Sequence, residues 1–226
     1  MAIQRILAMT VEEISAGSTP PWGYALMGCH FSGDGRQMVG LPEELPEGCG
    51  LILDDRNPIP QTTRKMIDAF AALKPAYLIL DFQQQATKNA KAFAMELTSL
   101  PCPVAMPAEY ARGLNCPVFL PPVPPNIPIV EYLLPWNGHE IWLELALDAV
   151  EITLTLQSSG FDAFAHARSY SDSHTDSMLH CHYKISKQPD ALQFYCYRSR
   201  EDVEAMLSSS LPGNLTHAVG LFRELG

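Results

Sequence analysis

Short apolar runs in this chain repeatedly end in an acid or an amide. Leu51-Ile52-Leu53 runs into Asp54 and Asp55, Tyr77-Leu78-Ile79-Leu80 runs into Asp81 and then Gln83, and Val104-Ala105-Met106 is soon followed by Glu109. An aromatic run over 192–197 ends on Arg198, an early run over 24–31 carries His30, and a last one over 217–222 precedes Glu224. Carboxylates gathered in one place can divide the work of proton donor and proton acceptor when their surroundings push their pKa values apart. In parallel α/β architectures the carboxyl ends of the strands supply that common place. On this positional argument Asp81 and Glu109 are the candidate catalytic groups, and Asp54, Asp55, Gln83 and Arg198 the candidate substrate-binding groups. The competing reading is a set of solvated acids at helix N-termini, where negative charge is favoured in any case.

The densest cluster of titratable side chains lies elsewhere, between His166 and His182, and includes Asp172, His174, Asp176, His180 and Cys181. Read as strand residues two apart, His180 and His182 project from one face and could meet one metal ion. A third ligand is not defined by spacing, and an exposed strand face explains the pair equally well, so no metal is assigned. Gly33-Asp34-Gly35 lacks the form of a phosphate loop and has no helix to supply amide donors. There is no G-x-S-x-G elbow and no cysteine in a nucleophile context. No cofactor is expected. Trp22, Tyr132, Trp136 and Trp142 could stack on a sugar ring, and could as well fill a core.

The elements that would position these groups are legible between 50 and 120. Strands that are apolar throughout alternate with amphipathic helices: Met66, Ile67, Phe70 and Leu73 fall at helical spacing, as do Ala86, Ala90, Phe93 and Leu97. That alternation implies parallel strands with right-handed crossovers. Ser199 and Asp202 have the spacing of a capping box ahead of another helix. Counting 3–9, 24–31, 50–54, 77–81, 103–106, 117–120, 192–197 and 217–222 gives eight candidate parallel strands, the number a (β/α)-barrel needs. The middle departs from this rhythm. A proline-rich stretch over 117–135 reads as extended loop, and 141–156 alternates with period two, Trp142 and Glu144 against Leu143 and Leu145, as half-exposed antiparallel strands do. Expected, then, is an α/β fold: an irregular, TIM-like (β/α)-barrel filling residues 1–226 as one domain, with a β-rich antiparallel insertion over 136–185. An open α/β sheet with a β-rich flap is the other architecture.

The segment YLILDFQ, Tyr77 to Gln83, resembles the strand that carries the D-x-x-D-x-D-x-E run of family 18 glycoside hydrolases, the chitinase-like (β/α)-barrels. The resemblance covers 76–83 and implies that Asp81 corresponds to the last Asp of that run, on the fourth barrel strand. In that family the final Glu donates a proton to the glycosidic oxygen, and the Asp before it orients and tunes the Glu. Here Gln83 stands in the acid's place, and Ala76 and Ile79 replace the two earlier acids. A glutamine amide releases no proton to a leaving group. The resemblance therefore implies a degenerate relative that binds sugar without cutting it, or one that recruits another acid such as Glu109.

Composition bounds the rest. The 226 residues carry a net charge of −10, with 15 Lys and Arg scattered along the chain, which argues against nucleic-acid binding. No window is long and apolar enough for a membrane span. Glu12 and Glu13 interrupt the N-terminal apolar run, and the six cysteines are far apart without a C-x-x-C pair, so a cytoplasmic location is expected. The function best matched is a carbohydrate-type or small-molecule pocket in a glycoside-hydrolase-like barrel. Two alternatives stand beside it: a non-catalytic binding or assembly protein using its β-rich middle, and a metal-dependent hydrolase using His180 and His182. Oligomeric state is left open.

Overall fold

A computed structural model describes residues 2–16, 22–155, 158–164 and 168–226. Along the chain run β1 (Gln4–Met9), α1 (Val11–Ser15), β2 (Gly23–Phe31), the short β3 (Met38–Val39), β4 (Gly50–Asp54), α2 (Arg64–Leu73), β5 (Leu78–Asp81) and α3 (Lys88–Leu97). Next come β6 (Val104–Pro107), α4 (Ala108–Ala111), β7 (Val118–Leu120), α5 (Ile129–Leu133) and β8 (Ile141–Leu145). Five further strands follow: β9 (Ala149–Thr155), β10 (Ser159–Phe164), β11 (His174–Asp176), β12 (Cys181–Lys187) and β13 (Ala191–Tyr197). The chain then makes α6 (Arg200–Leu207), β14 (Leu215–Leu221) and α7 (Phe222–Leu225).

Eight of these strands pair in parallel in the order β1-β14-β8-β7-β6-β5-β4-β2, and β2 returns to pair with β1, which closes the ring. The expected (β/α)-barrel is therefore what forms. Each strand obeys the period of two imposed by the pleat. Ile6, Ala25, Ile52, Ile79, Phe119 and Trp142 point inward and form a core of their own inside the ring. Their neighbours in sequence, such as Leu51, Leu78, Leu80 and Leu143, point outward into a larger core under the helices.

The helices start where capping chemistry places them. Thr63 accepts the Met66 amide at the head of α2, Thr87 accepts the Ala90 amide at the head of α3, and Ser199 and Asp202 exchange hydrogen bonds at the head of α6. Ile67 and Phe70 of α2, and Phe93 and Leu97 of α3, are the buried face foreseen from their spacing. At the foot of β4 a glycine is required: a Cβ on Gly50 would lie 2.0 Å from the Tyr77 ring, whose hydroxyl donates to the Tyr24 carbonyl.

Two strand assignments differ from expectation. The run 192–197 is not a barrel strand: as β13 it lies in a second, five-stranded antiparallel sheet of order β10-β9-β13-β12-β11. Its place in the ring is taken by Ile141–Leu145, which pairs in parallel with β7 and β14. The alternation of β8 is real, but both of its faces are covered, since Ile141 and Leu143 lie under helices while Trp142 fills the ring. The antiparallel sheet accordingly runs from Ala149 to Tyr197, rather than from 136 to 185, and these two end residues are partners in the same ladder. No helix among the described residues is long and apolar enough to cross a membrane.

Candidate functional site

At the carboxyl ends of the barrel strands a cavity of about 540 Å³ opens over the inner core. Ile52, Phe119 and Val219 form its apolar floor, and Asp54, Asp81 and Glu144 stand around it. The pleat puts them there, because each acid follows an inward-pointing residue by two: Asp54 after Ile52, Asp81 after Ile79, Glu144 after Trp142. Asp54 and Asp81 are register partners on β4 and β5, and their carboxylates are therefore neighbours.

Each of these acids has its own electrostatic setting. Burial pushes the Asp54 carboxyl up, but Arg56 outweighs it through a two-pronged contact, Nε to Oδ1 at 2.8 Å and Nη2 to Oδ2 at 2.6 Å, and holds it below the usual carboxylate range. Asp81 is raised by burial; the Gln83 amide, donating from Nε2 at 3.0 Å, pulls the other way, and the charges of Asp54 and Asp55 add to the rise. Glu144 is pushed up to about 7, first by burial and then by the charges of Asp81, Asp148 and Glu224. A carboxyl poised there can hold a proton at neutral pH and release it, which is what a general acid requires.

Asp55 also lines the mouth and is 8% exposed. Its carboxylate accepts the backbone N–H groups of Gln83 and Gln84, each at 2.9 Å, and its carbonyl accepts Gln84 Nε2. Asp55 thereby fixes the loop that presents Gln83 to Asp81.

Four of the six candidates named from sequence, Asp54, Asp55, Asp81 and Gln83, thus meet at one mouth. Glu109 does not line it. The short α4 begins directly after β6, buries Tyr110 against Phe82 and turns Glu109 out to solvent. Arg198 does not line it either. It is 3% exposed and donates to the carbonyls of Val123, Pro124, Leu179 and His180, which tie the proline-rich loop to the turn before β12. Trp142 is buried inside the ring, and none of the four aromatic residues singled out above reaches the cavity; Phe119 does.

His180 sits in a turn with φ 48°, outside β12, so it shares no strand face with His182. His182 stacks on Tyr197 and approaches Asp202 at 3.3 Å. His166 lies outside the described residues. Among those described, no three His, Cys, Asp or Glu side chains come together as a metal site would need.

Glu144 was the residue sequence reasoning passed over. Its signal was the tryptophan two residues before it, a bulky apolar side chain on what looked like the polar side of an alternating strand.

No family model matches this chain, and no curated protein matches it in sequence. Solved structures do match it in fold. The spore cortex-lytic enzyme SleL of Bacillus cereus superposes with a TM-score of 0.55 at 10% identity, over 100% of this chain and 72% of that one. SleL of Bacillus megaterium QM B1551 gives 0.52 at 10% identity, over 97% and 70%. The C-terminal domain of a putative chitinase from Desulfitobacterium hafniense DCB-2 gives 0.51 at 10% identity, over 97% and 93%. At that identity the likeness shows the fold alone: this chain is a closed (β/α)-barrel that superposes on those three structures.

Proposed function

We propose that the barrel mouth is a carbohydrate site of glycoside-hydrolase type, with Asp81 as its central polar group. The observation that carries this reading is the cavity itself. It pairs an apolar floor with a rim of carboxylates and glutamine amides, Asp54, Asp81, Gln83 and Gln84. A sugar offers the matching surface, a C–H face for the floor and hydroxyls that both donate and accept for the rim. The fold shared with SleL and the putative chitinase domain supports the same reading.

Substituting Asp81→Asn tests it. In a thermal-shift titration with an N-acetylglucosamine oligosaccharide, the variant is expected to bind about tenfold more weakly or worse, as loss of a charged hydrogen-bond acceptor implies. Its unfolding midpoint without ligand should stay near that of the wild type, because a half-buried acid is replaced by an isosteric amide. A lowered midpoint with unchanged binding would make Asp81 a structural residue and remove the reading.

A second reading, assembly through the antiparallel sheet, is favoured by one observation. Phe161, Ile152, Phe194 and Ile185 are in register across four adjacent strands, and Phe161 and Ile185 are 56% and 47% exposed. Contiguous exposed apolar surface of this kind marks interaction sites. On this reading the protein elutes as a multimer in size exclusion, and Phe161→Lys with Ile185→Lys returns it to a monomer. A monomeric wild type ends the reading.

A further inference from the structure

With Gln83 unable to give up a proton, the mouth needs its acid from another strand, and the ring places one there. Glu144 lies on β8, four strands round the eight-stranded ring from β4 and three from β5, so it faces Asp54 and Asp81 across the opening. A bound chain lying over the floor of Ile52, Phe119 and Val219 would pass between them.

We propose that Glu144 is the proton donor of this mouth and Asp81 its carboxylate partner, and that the pair makes the site hydrolytic toward a glycosidic bond. The proposal rests on the reading of the mouth as a sugar site. Glu144 stands on β8, whereas Gln83, the position that the family resemblance gives to the acid, follows β5.

The two carboxyls are set up for different tasks. Asp54 is held by Arg56, Asp55 by two backbone amides, and Asp81 by the Gln83 amide, which favours its ionised form. Among the described residues no such donor engages Glu144. The charged groups that act on it are acids: Asp81 from β5, Asp148 just beyond β8 and Glu224 on α7. The cation that lines the cavity, Arg56, is committed to Asp54. These acids therefore favour a protonated Glu144, while Asp81, itself raised by burial, has the Gln83 amide as a partner for its charge.

In the reaction, the Glu144 carboxyl passes its proton to the glycosidic oxygen as the bond from that oxygen to the anomeric carbon breaks. The bonding pair stays on the oxygen, which leaves as a hydroxyl. The oxygen of a water molecule bonds to the anomeric carbon and gives a proton to the Asp81 carboxylate. Solvent returns that proton to Glu144. One water is consumed and two hydroxyl-bearing products form, with no oxidant, reductant or metal in the balance.

The test compares the wild-type chain with Glu144→Gln on two probes, an N-acetylglucosamine oligosaccharide and the para-nitrophenyl glycoside of the same sugar. Binding of the oligosaccharide is measured by calorimetry alongside. A nitrophenol leaves without needing a proton, whereas a sugar does not. Loss of a general acid should therefore cost about a hundredfold or more on the oligosaccharide, and less than about tenfold on the nitrophenyl substrate, with oligosaccharide binding retained.

The wild-type rate on the oligosaccharide should fall as pH rises through about 7, and the variant should lack that limb. Folding provides an independent control. A carboxyl raised from its ordinary 4.5 to about 7 gains nothing below 4.5, where folded and unfolded chains both hold the proton. Between those values the unfolded chain ionises first, and the wild type loses stability; the unfolding midpoint of Glu144→Gln should therefore rise relative to it over that window.

A wild type that binds the oligosaccharide and cleaves neither probe overturns the inference and leaves the sugar site standing. Equal losses on both probes also overturn it, because they mark a structural role. A wild type that binds no oligosaccharide removes the sugar-site reading itself, and this inference with it.

Discussion

Replacing Trp142 with alanine should destabilise the protein by about 3–5 kcal/mol, the range for emptying a buried aromatic position. Trp142 is 1% exposed and fills the ring directly beneath the level of Glu144. Its indole stacks on the His217 imidazole with centroids 3.9 Å apart and meets the Tyr77 ring edge-on at 5.6 Å, while its Nε1 donates to the Glu140 carboxylate at 3.0 Å. A closed ring of paired strands cannot collapse onto the vacated volume as a loop or a free helix end can, so little of the cavity would be recovered. Urea denaturation of Trp142→Ala and Trp142→Phe gives the measurement, with the phenylalanine variant expected between alanine and wild type. A loss under about 1 kcal/mol, no more than an ordinary surface-like substitution, would mean that the ring is not packed around this residue.

Arg198→Ala should cost about 3–5 kcal/mol as well, because several buried acceptors lose their donor at once. The guanidinium satisfies four carbonyls from two segments that make no ladder with each other, residues 123–124 and 179–180. Removing it leaves acceptors inside the protein that water reaches poorly, and each unsatisfied group costs about 1–3 kcal/mol. Lysine offers a single ammonium in place of a planar fork, so Arg198→Lys should restore less than half of the loss. Oligosaccharide affinity of the folded variant should match that of the wild type, since Arg198 does not line the mouth. Weakened binding with unaltered stability would return Arg198 to the substrate-binding role that its place at a strand end suggested.

These two residues also show where the sequence could be read and where it could not. Asp54, Asp81 and Gln83 were legible because their strands are apolar on both faces and stop abruptly, leaving the polar residue at the carboxyl end. Val104-Ala105-Met106 has the same form, yet Glu109 falls inside the helix that starts directly after the strand, and a helix changes direction in a way a strand pattern does not announce. Arg198 ends a strand too, but that strand belongs to the antiparallel sheet. Glu144 was hidden for the converse reason. A barrel strand that carries a charge at the mouth and a tryptophan below it alternates just as a half-exposed strand does, and only the ring closure tells the two apart. The helices were easier, because Thr63, Thr87 and Ser199 announce their starts locally and need no tertiary partner to do so.

The ladder that joins Ala149 to Tyr197 means the long excursion between β8 and α6 leaves the barrel and rejoins it at a single doorway. Whatever length or composition the strands beyond that doorway acquire, the gap between the two threshold residues stays the width of one strand pair. Insertions or deletions in the strands beyond that doorway should therefore leave the circumference of the ring unchanged.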